Sequence, residues 1–107
     1  MTIREELCAR EIDNHPGVET WVRNPAAGDR AFRVKTAGGW FYPDFVGRLA
    51  DGRHFVVEYK GKVYVDAAAQ NEALGQFYES RSEGRCLFVM VKDKDWKALH
   101  EKLAARS

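Results

Sequence analysis

The stretch Phe41–Gly61, FYPDFVGRLADGRHFVVEYKG, decides how the chain is read. Val, Phe, Tyr and Leu dominate both of its arms, and Asp51-Gly52 lies between them, which is the pattern of two strands joined by a tight turn. Three charged residues interrupt the apolar pattern: Asp44, Glu58 and Lys60. Carboxylates and lysines are costly to bury unless they are paired or bound to a metal, so their presence inside strands demands a reason. The register of the hairpin supplies one. A two-residue loop would pair Ala50 with Arg53 and set Asp44 against Tyr59, with Asp44 and Glu58 on opposite faces. A three-residue loop, Ala50-Asp51-Gly52, pairs Leu49 with Arg53 and brings Asp44 opposite Glu58. Its third position takes a left-handed backbone, and that position is Gly52.

The three-residue register also sorts the side chains. Pro43, Phe45, Leu49, Phe55, Val57 and Tyr59 share a core face. Tyr42, Asp44, Val46, His54, Val56, Glu58 and Lys60 share the other. Like charges directly opposed on a sheet repel, so Asp44 against Glu58 makes sense around a cation. Converging carboxylate oxygens suit a hard divalent ion, Mg²⁺ or Mn²⁺. With Lys60 on the same face, such a site has the parts for phosphodiester hydrolysis: a metal that activates water and neutralises phosphate, and a lysine that orients or deprotonates the water. The backbone carbonyl of Tyr59 is a further candidate ligand.

The flanking sequence predicts a mixed sheet between helices, an α/β (α+β) domain. Thr2-Ile3-Arg4-Glu5 fits a capping box. A helix from about Ile3 to Asp13 follows, burying Leu7, Cys8 and Ile12 and ending at His15-Pro16-Gly17. Val18–Arg23 reads as a strand, 24–29 as a turn, and Ala31–Thr36 as a half-buried strand. Ala37-Gly38-Gly39 then turns the chain into the central hairpin. Asp66 caps a helix of about 17 residues with Ala69, Ala73, Leu74, Phe77 and Tyr78 available to pack, closed by Gly84. Arg85–Val91 is a nearly continuous apolar run, as expected of a strand buried on both faces. Asp93 or Asp95 caps a last helix with Trp96, Leu99 and Leu103 on one stripe.

Composition bounds the class. The 107 residues, 45% of them hydrophobic, are sized for one domain spanning residues 1–107. The net charge of +1 gives no overall basic character, so any nucleic-acid contact must come from a local patch. Arg23, Arg30, Arg33, Lys35, Arg48 and Lys62 supply either a phosphate-contacting rim or a solvated basic face. Cys8 and Cys86 sit in apolar surroundings and read as core thiols. No secretory or membrane-spanning pattern is visible, and a cytoplasmic protein is expected.

Pro43-Asp44, followed after thirteen residues by Glu58-Tyr59-Lys60, resembles the PD-(D/E)XK nuclease motif. The likeness extends further. Trp21-Val22-Arg23-Asn24, FYPDFV, LADGRHFVVEYKG and GRCLFVMV are similar to the C-terminal nuclease-like segment of type III restriction enzyme Res (helicase-nuclease) subunits, over about Glu5 to Val91. The resemblance implies a restriction-endonuclease-like core and Mg²⁺-dependent DNA cleavage. Asp44 and Glu58 become metal ligands and Lys60 the catalytic lysine. It also implies a glutamate from the first helix; Glu5 matches best and Glu11 is the alternative. Arg23 and Asn24, inside the similar WVRN run, join Lys62 and Gln70 as candidate DNA contacts. Where relatives carry Glu-Lys on the second helix, this chain has Gln70-Asn71. No helicase motor or Gly-rich phosphate loop accompanies the segment. The implied partners are DNA and restriction or helicase-like subunits, or a second copy of the chain. The alternative is a catalytically silent module of the same fold that binds DNA or a protein.

Overall fold

The structure, a computed structural model, describes residues 3–24, 33–36, 39–60, 73, 75–92 and 94–104. Helix α1 runs Ile3–Asn14 and buries Cys8, Ala9 and Ile12, one stripe at helical spacing. Thr2, its expected cap, lies outside the described residues. His15 and Gly17 turn the chain into β1, Val18–Arg23. Two short strands follow, β2 (Val34–Thr36) and β3 (Gly39–Phe41), then β4 (Phe45–Leu49) and β5 (His54–Lys60). A helical segment at 75–81, α2, leads to β6, Cys86–Lys92, and α3, Trp96–Ala104, closes the order.

Four strands form the main sheet in the order β1-β4-β5-β6. The β1-β4-β5 part is an antiparallel meander, and β6 runs parallel to β5 after the crossover through α2. One face, with Phe45, Leu49, Phe55, Val57, Tyr59, Leu87, Val89 and Val91, is covered by α1 and α3. On the other, Val56, Cys86, Phe88 and Met90 pack with Val46 and with Tyr78 of α2. The fold is the mixed sheet flanked by helices that the residue pattern predicts.

Three expectations change. Of the strand expected at Ala31–Thr36, the described part, Val34–Thr36, lies outside the main sheet: among the described residues β2 pairs with β3, and Gly39, expected in a turn, is a strand residue opposite Thr36. This small hairpin is inserted between two strands of the meander. The first arm of the central hairpin is also shorter than expected. Phe41 belongs to β3, and β4 begins at Phe45, because Pro43 has no N–H for a ladder and restricts Tyr42 before it. Ala73, ahead of α2, and Phe77 on it are exposed rather than packed on the sheet. Phe77 is 61% exposed, with the Arg81 guanidinium 5.8 Å from its ring centre.

The residues that do face inward are Gly75, Tyr78 and Glu79 of α2 and Ser82 in the turn just after it. A Cβ on Gly75 would lie 2.4 Å from the Phe88 ring, so only glycine lets the helix come this close to the sheet. Glu79 accepts the Phe88 N–H at 2.6 Å and binds Lys102 of α3 at 2.8 Å. Ser82 accepts the Cys86 N–H at 3.1 Å. These side chains occupy backbone groups that a marginal strand would otherwise offer to another chain. The caps expected at Asp66 and Asp93 lie outside the described residues. Asp95 accepts the Ala98 N–H at 3.2 Å and caps α3. Gly84 has φ +79° just past α2. Cys8 and Cys86 are buried free thiols, pushed up to about 12 and about 11, in each case chiefly by burial.

Candidate active site

The turn chemistry sets the site. Leu49 donates to the Arg53 carbonyl at 2.8 Å and Gly52 to the Leu49 carbonyl at 3.0 Å, with Gly52 at φ +94°. The ladder pairs Phe45 with Val57 and Val46 with Val56. One residue further, Asp44 stands opposite Glu58. Asp44 sits just ahead of β4, and its side chain continues where the ladder stops: Oδ2 accepts the Tyr59 N–H at 2.8 Å. Pro43 beside it is fully buried.

Glu58 is the buried member of the pair, 5% exposed. Burial, a hydrogen bond with Asp44 and the Asp44 charge together push its carboxyl up to about 9; Lys60 opposes that rise and Glu5 adds to it. At neutral pH and without a cation, the pair therefore keeps a proton on Glu58. Lys60 Nζ lies 4.0 Å from Glu58 Oε2 and is partly exposed. The Tyr59 ring turns to the opposite face and stacks on Trp96 at 6.1 Å.

Glu5 of α1 is half-buried, within electrostatic reach of Glu58, and held by Arg23 at 3.4 Å. Glu11 is engaged elsewhere: His100 of α3 lies 2.7 Å from its carboxylate. Of the expected DNA contacts, Arg23 is exposed but tied to Glu5. Asn24, expected at the DNA surface, is instead 6% exposed. Its amide N–H donates to the Asp44 carbonyl and its side chain to the Pro43 carbonyl, both at 2.8 Å. Lys62 and Gln70 lie outside the described residues, as does Arg30. Arg48 is paired with Glu19, Arg33 is exposed ahead of β2, and His54 is an exposed residue at the start of β5.

Two carboxylates and an adjacent backbone carbonyl are a hard-oxygen donor set, and a proton held between two carboxyls occupies the place a divalent cation would take. The residues present fit Mg²⁺ or Mn²⁺ on that chemistry. Among the described residues no group of three or more His, Cys, Asp or Glu side chains is arranged as a metal cage. The remaining donors would come from backbone, water and substrate, as is usual for Mg²⁺.

One further cluster joins residues remote in the chain. His15 is buried, its Nδ1 accepts the Gly17 N–H at 3.0 Å, and its ring stacks on His100 at 5.2 Å. His15 and His100 are too far apart in the chain for any local pattern to have joined them.

No protein-family model, no curated protein and no solved structure matches the chain.

Proposed function

We propose that the chain is a metal-dependent deoxyribonuclease domain of the PD-(D/E)XK kind, hydrolysing phosphodiester bonds in a cytoplasmic restriction or helicase-like setting. The observation that carries this reading is the buried Glu58 carboxyl paired with Asp44 and flanked by Lys60. Purely structural strands have no need of three such costly groups together. The order helix, antiparallel meander, crossover helix, parallel strand supports it. Asp44, Glu58 and the Tyr59 carbonyl would hold Mg²⁺ or Mn²⁺, with Glu5 in reserve from α1. The ion supplies charge neutralisation at the scissile phosphate and a more acidic bound water. Lys60, 4.0 Å from Glu58 Oε2, orients that water or takes its proton. DNA is the substrate; a helicase-like subunit or a second copy would deliver it, since the near-neutral net charge gives little autonomous attraction. Among the described residues no helix is long and apolar enough to cross a membrane.

A second reading, a silent module that binds DNA or protein, is favoured by one observation: Arg23, an exposed cation at the end of β1, is already engaged by Glu5. Plasmid cleavage at low salt separates the two. Nicking by wild type in Mg²⁺ or Mn²⁺, abolished by chelator and by Asp44→Ala, is the expected result. Metal binding without cleavage, even with a helicase-like subunit supplied, would leave the silent module.

A further inference from the structure

We infer that Asn24 is a positioning residue for Asp44, fixing from the end of β1 the carboxylate that meets Glu58. The inference rests on the proposed metal site for its purpose but on backbone geometry for its evidence. Pro43-Asp44 is a break in the chain: Pro43 contributes no N–H, β3 has ended at Phe41, and β4 begins only at Phe45. The two consecutive carbonyls at this break both point to one residue. Asn24 Nδ2 donates to the Pro43 carbonyl and Asn24 N to the Asp44 carbonyl, each at 2.8 Å. On the other side, the Asp44 carboxylate accepts from Tyr59 N at 2.8 Å. Asp44 is therefore held from two neighbouring strands, its backbone by the end of β1 and its side chain by β5. The Asn24–Pro43 bond is buried, so losing the donor leaves a carbonyl without water to replace it. The Pro43-Asp44 peptide can then rotate, and the rotation moves the carboxylate away from Tyr59 N and from Glu58. Residues that orient metal ligands without touching the metal commonly change its affinity by about 10- to 100-fold when removed.

The test uses Asn24→Ala, with Asn24→Ser as a milder variant that keeps a short hydroxyl donor and the fold. Two readouts are taken below the melting temperature of each protein. In metal-free protein, amide exchange is followed by NMR. The Tyr59 N–H is expected to exchange at least about tenfold faster in Asn24→Ala while the other β5 amides keep their protection, with Asn24→Ser between. In the second, the Mn²⁺ dissociation constant of the folded protein is expected to weaken by about 10- to 100-fold in the same order. An exchange increase spread evenly over β4 and β5 with Mn²⁺ affinity unchanged, or an unchanged Tyr59 amide, overturns the assignment. Wild type that binds no Mn²⁺ would remove the nuclease proposal, and the exchange result would still decide whether Asn24 holds Asp44.

Discussion

Glu58→Gln should make the metal-free protein more stable. Glu58 is held up at about 9 against an ordinary 4.5. Because the folded-state value is the higher one, the protonated group's contribution is complete below about pH 4.5. It declines until the folded carboxyl itself ionises near 9. At pH 7 the unfolded wild-type chain gains from ionising this group and the folded chain does not. The difference spans about 2.5 pH units, on the order of 3 kcal/mol. Glutamine matches the shape of the protonated acid, can still donate to Asp44, and removes that gain from the unfolded state. Allowing for an imperfect amide fit, the variant is expected to be about 2–3 kcal/mol more stable at pH 7, or about 10 °C in Tm for a domain of this size. At pH 5 the gain shrinks to under about 1 kcal/mol. Thermal melts in chelator at pH 5 and pH 7 measure both. Saturating Mn²⁺ should raise the Tm of wild type but not of the variant. A variant no more stable than wild type at pH 7, or a difference independent of pH, would refute the claim that Glu58 is a strained, protonated carboxyl.

Other outcomes follow from the same geometry. Lys60→Ala should reduce metal-dependent plasmid nicking by about 100-fold or more, the usual scale for a general acid–base group, with Mn²⁺ affinity changed by less than about threefold in calorimetry. Burial lowers the His15 value, partly offset by its hydrogen bond to the His100 backbone, while the His100 charge lowers it further. A lowered folded-state value means stability that is present above about pH 6.5 and lost as the pH falls. Between pH 7 and pH 5, wild type should therefore lose stability relative to His15→Gln in urea unfolding, since the variant lacks this group and both carry the opposing Glu58 contribution. Gly75→Ala sets a methyl against the Phe88 ring and should cost about 1–3 kcal/mol, read as a lower urea midpoint with the slope unchanged.

The central hairpin was legible because its register depended on local chemistry: one glycine at the only loop position needing a left-handed backbone set Asp44 against Glu58. The β6 run and the α3 stripe were legible for similar reasons, since burial on two faces or one leaves a direct pattern. Partners were not. Val34–Thr36 alternates as a strand should, but alternation does not say which strand it joins, and Pro43 ended the β4 arm earlier than its apolar residues suggested. On the second helix Tyr78 packs as its position suggests while Ala73 and Phe77 do not, and Gly75 carries no hydrophobic signal; its contribution is the space it leaves for Phe88. From the WVRN run Asn24 is expected as a DNA contact, whereas two backbone carbonyls nineteen and twenty positions later claim it. Long-range side-chain pairs such as His15–His100 leave no trace in periodicity at all.

The most direct test of the account is proton release on Mn²⁺ binding, measured by calorimetry at pH 7 in buffers of different ionisation enthalpy. A site built from Asp44 and a Glu58 held at about 9 must lose the shared proton to admit the ion. The account predicts binding with about one proton released per Mn²⁺, affinity that tightens up to about tenfold per pH unit between 7 and 9, and loss of both in Asp44→Asn. No binding at millimolar Mn²⁺, or binding with no proton released, would contradict it.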